Sequence, residues 1–254
     1  MNAAPPITDP TPTTDARDTR RVLRIATWNI HGAVGTDRLR SAQRIADVVA
    51  ELNADIVALQ EVPLGGHDVK MAPDVLAVLR EAGNWLAVAG PTLDTPARRF
   101  GNAVLTRWPV RSSRALDLSF GSREPRGALD VDIDVNGETL RVVATHLGLR
   151  ARERRAQIAR LLRAFDRPDL PVMLAGDINE WFVWGRALRM LVSHFRAAPA
   201  PRTFPSRFPV FSLDRIWIHP GERLVGVQVH CSGLARVASD HLPLIAEVRG
   251  SQES

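Results

Sequence analysis

The chain has 254 residues, 45% hydrophobic and 24% charged, a balance that supports a buried core and excludes collagen-like, fully disordered and membrane-embedded classes. Its 33 basic residues against 28 acidic ones leave a formal charge of +5, too small a surplus to specify a nucleic-acid partner. Nearly all the basic residues are arginine, with Lys70 the single lysine, and the lone cysteine, Cys231, excludes an intrachain disulfide. A fold held by its core alone needs no oxidising compartment, so a cytoplasmic location is expected.

In chain order, residues 1–20 are rich in Pro, Thr, Asp and Ala and lack the apolar stretch of a signal peptide, so a disordered leader is expected. One folded domain is expected over 21–249 and a frayed tail over 250–254, with no run reaching the roughly 18 apolar residues of a membrane span. Short apolar runs predict strands at 22–27, 56–59, 85–89, 103–106, 128–134, 139–145, 172–175, 214–218, 224–230 and 243–248. Helical periodicity predicts helices at 36–52, 74–81, 151–165 and 183–192. Asp134-Val135-Asn136-Gly137 marks a tight hairpin, because Asn-Gly accepts the positive φ angles of such a turn. Many strands with few helices imply an α/β (α+β) layered sandwich, two packed mixed β-sheets flanked by helices.

Several of these strands end in polar residues that a plain core strand would not select. The first runs into Trp28-Asn29-Ile30-His31-Gly32, the second into Gln60-Glu61-Val62, the sixth into His146, and the seventh into Gly176-Asp177-Ile178-Asn179-Glu180. Two later segments, Leu213-Asp214-Arg215-Ile216-Trp217 and Ser239-Asp240-His241-Leu242-Pro243, place the acid before the apolar run instead. If those two strands run antiparallel to the first four, all the polar groups meet at one edge. Such a set of carboxylates, amides and imidazoles suits Mg²⁺, with Mn²⁺ as a substitute, since both are hard ions that take oxygen ligands. Zinc fits less well, because there is no cysteine pair and no closely spaced histidine pair. A hard cation beside such groups is equipment for hydrolysing a phosphate ester. Acyl transfer would call for a Gly-x-Ser-x-Gly elbow, which the chain lacks.

The blocks Thr27-Trp28-Asn29-Ile30-His31, Leu59-Gln60-Glu61-Val62, Thr145-His146-Leu147, Gly176-Asp177-Ile178-Asn179, Leu213-Asp214-Arg215-Ile216 and Ser239-Asp240-His241 resemble, in that order, the endonuclease/exonuclease/phosphatase superfamily with its DNase I-like fold. Gly148-Leu149 and the stretch from Thr203 to Pro209 look like a bacterial subgroup of it. The resemblance implies that 21–249 is a catalytic domain. It implies Glu61 as principal metal ligand with Asn29 and Asp240 close to the ion, and Asp177 as the group that orients and deprotonates the attacking water, helped by Asn179. It further implies that His241, oriented by Asp214, stabilises the phosphate, and that His146 contacts the phosphate or assists the leaving group. Asn29, Asn179 and His146 would all touch substrate. A histidine at 146, where abasic-site nucleases of the family commonly carry tyrosine, looks more like DNase I and the sphingomyelinase-type phosphodiesterases.

Outside these blocks, Arg126 precedes a strand, where its guanidinium is expected to bind phosphate. Asn102 is a weaker candidate of the same kind, and His31 is divided between lining the site and turn chemistry. Arg150, Arg152, Arg154, Arg155, Arg160 and Arg163 crowd the helix after His146, where a solvated face is the expected explanation. Trp181, Phe182 and Trp184 suit either a lipid or base pocket or core packing. His67, His194, His219 and His230 carry no motif and are expected to be surface or structural. The expected function is Mg²⁺-dependent phosphodiester hydrolysis by a monomer acting on nucleic acid or a phospholipid head group. The alternative is a non-catalytic phosphate- or nucleic-acid-binding module that keeps the fold.

Overall fold

Apolar strands buried on both faces need two layers of partners, and the computed structural model supplies them. It describes residues 22–65, 74–96, 98–165, 170–182 and 184–250; the expected leader at 1–20, residues 251–254 of the expected tail, His67 and Lys70 lie outside these. One sheet contains β1 (Val22–Asn29), β2 (Ile56–Pro63), β3 (Leu86–Asp94), β4 (Arg99–Thr106), β10 (Leu224–Val229) and β11 (Leu244–Arg249), in the order β10-β11-β1-β2-β4-β3. The other contains β5 (Val110–Asp117), β6 (Gly127–Val135), β7 (Glu138–His146), β8 (Val172–Asp177) and β9 (Asp214–His219), in sequence order.

The sheets pack face to face through Ile25, Ile56 and Val104 on one side and Val131, Val142, Met173 and Ile216 on the other. Because side chains alternate across a strand, Ala26 and Trp28 of β1 face the opposite way. There they pack in a second core with α1 (Ala42–Glu51), α2 (Val75–Gly83) and α5 (Gly233–Ala238). Leu174 and Trp217 do the same for α3 (Ala151–Arg163) and α4 (Arg186–Phe195). The result is a four-layer DNase I-like sandwich of helices, two mixed sheets and helices.

Strand direction positions the site. β1 pairs parallel with β2, and β7 parallel with β8, so all four deliver their C-terminal ends to one edge. β11 runs antiparallel to β1, and β9 antiparallel to β8. Their first residues therefore arrive at that same edge, as the reversed order of acid and apolar run implied.

Four elements differ from expectation. β5 was not anticipated: Arg111 to Arg114 are exposed on an edge strand, so its sequence carries no apolar alternation. α1 starts at Ala42 rather than 36 because the Ser41 side chain caps it, accepting from Arg44 N at 3.1 Å. α4 starts after Gly185 and is displaced from the 183–192 window. α5 is only six residues long, too short for a periodic signal. The predicted hairpin forms between β6 and β7, with Asn136 and Gly137 at φ 53 and 89 and Gly137 N donating to Asp134 Oδ1 at 2.7 Å. No helix among the described residues is long and apolar enough to cross a membrane.

Candidate active site

The residues that could carry chemistry sit where backbone geometry departs from plain pairing. Along β2 the register against β4 runs from Leu59 opposite Ala103 to Val62 opposite Gly101, so Gln60 and Glu61 form a bulge. Glu61 has φ 56, a left-handed conformation that costs a non-glycine residue about 1–3 kcal/mol. The bulge brings its carboxylate to Asn29 at the end of β1, whose Nδ2 donates to Glu61 Oε1 at 3.0 Å. Gln60 stays buried, its Nε2 donating to Thr27 Oγ1 at 3.1 Å.

Between β7 and β8, Thr145 lies beside Gly176 and His146 beside Asp177. Gly176 has φ 146, and a Cβ there would meet Thr145 O at 1.8 Å, so no side chain fits. This close approach sets Asp177 Oδ2 3.5 Å from His146 Nε2. Asp177 is the hub of the site. Its Oδ1 accepts from Asn179 N at 2.9 Å, its Oδ2 accepts from Asn29 Nδ2 at 3.1 Å, and His241 Nε2 stands 3.7 Å from Oδ2.

Opposite Asp177, β9 begins with buried Asp214, whose Oδ2 is 2.8 Å from His241 Nδ1 and also accepts from Thr203 Oγ1. The loop carrying His241 is pinned to β1 by two hydrogen bonds and braced by one of its own. Ser239 Oγ donates to Asn29 O at 2.7 Å and accepts from His241 N at 3.2 Å, while Trp28 Nε1 donates to His241 O at 2.9 Å.

The two imidazoles differ in charge. Burial opposes a charged His241, but Asp214 outweighs it and Asp177 and Asp240 add to the effect, pushing its pKa up to about 10. Burial takes His146 down to about 3, with Arg126 and His241 reinforcing it against the pull of Asp177. Arg126 NH1 lies 3.0 Å from His146 Nδ1, and a guanidinium can only donate. Nδ1 therefore accepts, and the proton of the neutral ring sits on Nε2, toward Asp177. Asn179 Nδ2 donates to Leu147 O at 2.9 Å and lies 3.0 Å from that protonated Nε2, to which it does not donate.

Burial pushes the Glu61 carboxyl up, and Asp240 and Asp177 add to that against the Asn29 hydrogen bond and the charge of His31. No arginine forms an ion pair with Glu61 among the described residues. An oxygen-rich, half-buried acidic pocket without a resident guanidinium fits a hard divalent cation. The tightest cluster of potential ligands among the described residues is instead Asp177, Asp214 and His241, all within 4.8 Å of one another. There the His241 Nδ1 proton is engaged by Asp214, which makes that cluster a proton-holding pair rather than a cation cage.

Asn29, Glu61, His146, Asp177, Asn179, Asp214 and His241 thus converge, as their order along the strands implied. Asp240 stands at the rim, its Oδ1 3.8 Å from His31 Nδ1. His31, at φ 49 and exposed, has Nδ1 3.2 Å from Val34 O, so turn chemistry accounts for its position. Arg126 already holds His146 through NH1 and Glu124 through NH2, the latter at 2.9 Å. Asn102 ties β4 to β6 by donating to Gly127 O at 3.0 Å. The arginine-rich helix is not uniformly solvated: Arg154 is buried, 3.2 Å from Glu180 Oε1 and donating to Leu149 O at 2.6 Å. Sequence reasoning missed the supporting roles of Trp28, Thr203 and Ser239. Trp28 and Ser239 lie inside the quoted blocks and Thr203 opens the stretch to Pro209, but no pattern assigned them a role.

The model of the endonuclease/exonuclease/phosphatase family matches residues 26–241. The chain is 34% identical over 245 residues to the "uncharacterized protein YbhP" of Escherichia coli strain K12, covering 89% of this chain and 96% of that one. The crystal structure of an endonuclease/exonuclease/phosphatase from Beutenbergia cavernae superposes with TM-score 0.74 at 26% identity, over 91% of this chain and 72% of that one. A mannosyl-6-phosphatase from Bacteroides thetaiotaomicron shares the fold at TM-score 0.69 and 18% identity, over 89% and 99% of the two chains. With its family blocks gathered at one sheet edge and the match spanning β1 to His241, the chain belongs to the endonuclease/exonuclease/phosphatase family, whose members act on phosphate esters.

Proposed function

We propose that the protein is a Mg²⁺-dependent phosphodiesterase, with Mn²⁺ able to substitute, that uses in-line attack by water and forms no covalent intermediate with the enzyme. The observation that carries this reading is Asp177, a buried carboxylate with a neutral imidazole on one side and a charged one on the other. A divalent cation held by Glu61, with Asn29 and Asp240 beside it, would supply positive charge against the phosphoryl oxygens. Asp177 orients the attacking water and takes its proton on Oδ2. His241, kept charged by Asp214, donates from Nε2 to a phosphoryl oxygen as negative charge develops there. His146 offers its Nε2–H as a neutral hydrogen-bond donor, to the phosphate or to the leaving oxygen as its bond to phosphorus breaks, with Arg126 adding positive charge behind it. The departing oxygen takes its proton from solvent water. Asn179 completes the phosphate contacts. A diester of nucleic acid or of a phospholipid head group fits this arrangement.

The test is hydrolysis of bis-p-nitrophenyl phosphate with Mg²⁺, with Mn²⁺ and with chelator, for the natural chain, Glu61→Ala and Asp177→Asn. Turnover that disappears with chelator and in both variants is the expected result. Phosphate binding without turnover in the natural chain would identify a non-catalytic module instead. Turnover unchanged in both variants would overturn the proposed roles.

A further inference from the structure

Beside the acidic floor lies a surface of opposite character. Trp181 follows Asn179 by two residues and packs edge-on against Phe204 and Phe211, with centroids 5.8 and 4.7 Å away. Phe204 in turn lies 4.8 Å from the His241 ring, so the aromatic group starts at the site itself. Phe204 and Phe211 pair as an antiparallel bridge, and Val210 N and Phe211 N both donate to Phe204 O at 2.8 Å. This short hairpin holds Phe208 at its tip, 80% exposed, with Val210 52% exposed beside it. Phe182 and Trp184 add rings that are 60% and 69% exposed, 6.4 Å apart. Soluble surfaces carry isolated apolar residues as a matter of course, but several exposed rings flanking a packed aromatic group form a lip at the mouth of a site and mark a binding face.

The charge around the lip identifies its partner. Residues 181–213 contain no aspartate or glutamate and five arginines. Arg207 adjoins Phe208, Arg202 opens the hairpin, and Arg186 and Arg189 follow Trp184, with Arg189 NH1 donating to Trp184 O at 3.0 Å. Arg196 lies beside Gly221, away from the lip, and the acids bordering the lip are Glu180 and Asp240. None of the five forms an ion pair among the described residues. Projecting Trp and Phe side chains within an arginine-rich, acid-free segment match the boundary between anionic head groups and acyl chains. Stacked nucleobases fit less well. Val210 offers no ring face, and Trp181 is already engaged by two aromatic neighbours.

We propose that this lip docks the protein on an anionic phospholipid bilayer, with Phe208, Phe182 and Trp184 entering the interface and the arginines meeting the head groups. Docking places the bilayer against the candidate active site. In that sense it rests on the hydrolase reading and narrows the substrate to a phospholipid, but binding itself requires no turnover.

The experiment is sedimentation of the full chain with vesicles of phosphatidylcholine alone and of phosphatidylcholine mixed equally with phosphatidylglycerol, at low and at high salt, together with tryptophan emission. The expected result is binding to the anionic vesicles that weakens with salt, a blue shift of the emission, and a loss of about tenfold or more in binding for Phe208→Asp. Arg207→Glu should weaken binding to the anionic vesicles alone, and circular dichroism checks that both variants fold. Absence of binding to anionic vesicles at low salt overturns the proposal. So does binding unchanged in a folded Phe208→Asp, or single-stranded DNA that displaces the vesicles and shows the same dependence on Phe208. Asp177→Asn should still sediment with vesicles while losing turnover; a natural chain that binds vesicles yet hydrolyses no diester would sink the hydrolase reading and leave the docking surface standing.

Discussion

His146 and His241 face the same Asp177 oxygen from 3.5 and 3.7 Å, and they are 6% and 4% exposed. Burial disfavours charge on both. They differ in what stands behind the ring. Arg126 occupies Nδ1 of His146 and helps to keep it neutral, whereas Asp214 occupies Nδ1 of His241 and keeps it charged. Burial with a guanidinium behind one imidazole, and a carboxylate that outweighs burial behind the other, thus give one neutral and one cationic donor beside a single carboxylate. Burial already makes His146 neutral and Arg126 adds to it, whereas at His241 the same burial is overturned by the carboxylate behind the ring.

The comparison is broken most directly at its centre. Asp177→Asn should lower turnover of a simple diester by about 10³-fold, since it removes the proton acceptor shared by both sides. Steady-state rates at saturating Mg²⁺ measure this, and a loss under about tenfold would remove Asp177 from the chemistry. Next, Asp214→Asn takes away the charge that holds His241 protonated. A fall in kcat of about 10²-fold is expected, with a near-native circular dichroism spectrum. Arg126→Gln acts on the other ring and should cost about tenfold, because His146 keeps its position but loses the positive charge behind it. Equal losses in these last two variants would mean that the two pockets are not organised oppositely.

A fourth test uses a pair of similar length on the surface. His230 Nε2 is 2.7 Å from Glu51 Oε2, against 2.8 Å for His241 and Asp214. Asp214→Ala should destabilise the fold by about 3–5 kcal/mol by leaving a buried charge alone. His230→Ala should cost less than about 1 kcal/mol, because that pair is screened by solvent. Denaturant melts compare the two. Burial tends to raise the Glu51 carboxyl, but hydrogen bonds from Ser232 and His230 hold it below its ordinary 4.5. A carboxyl lowered on folding stabilises above its unfolded pKa, so this surface contribution should persist at neutral pH and fade as the pH falls below 4.5.

Much of this organisation was legible because the site lies on core strands. The apolar stretches of β1, β2, β7 and β8 give way to Asn29, Gln60-Glu61, His146 and Asp177 at one end, and that change is a one-dimensional signal for a three-dimensional edge. The reversed order around Asp214 and His241 carried strand direction as well. β5 stayed hidden because Arg111, Ser112, Ser113 and Arg114 face solvent on a sheet edge, where no alternation is required. The bonds from Trp28 to His241 O and from Thr203 to Asp214 were also out of reach. The first joins residues far apart in the chain and the second joins residues eleven apart, each through one proton, and neither composition nor periodicity records such a link.

Gly176 has one more consequence. A hydrogen atom in place of a side chain lets two parallel strands touch, so the gap between the aspartate and its neutral imidazole is measured out by main-chain atoms. The aromatic hairpin that ends near Phe211 hangs on a separate stretch of backbone. Grafting a different hairpin there would leave the Asp177–His146 gap untouched but would reach His241 and Asp214 unless Phe204 and Thr203 were kept, so one half of the site is fixed by strand pairing and the other half is open to change through the hairpin.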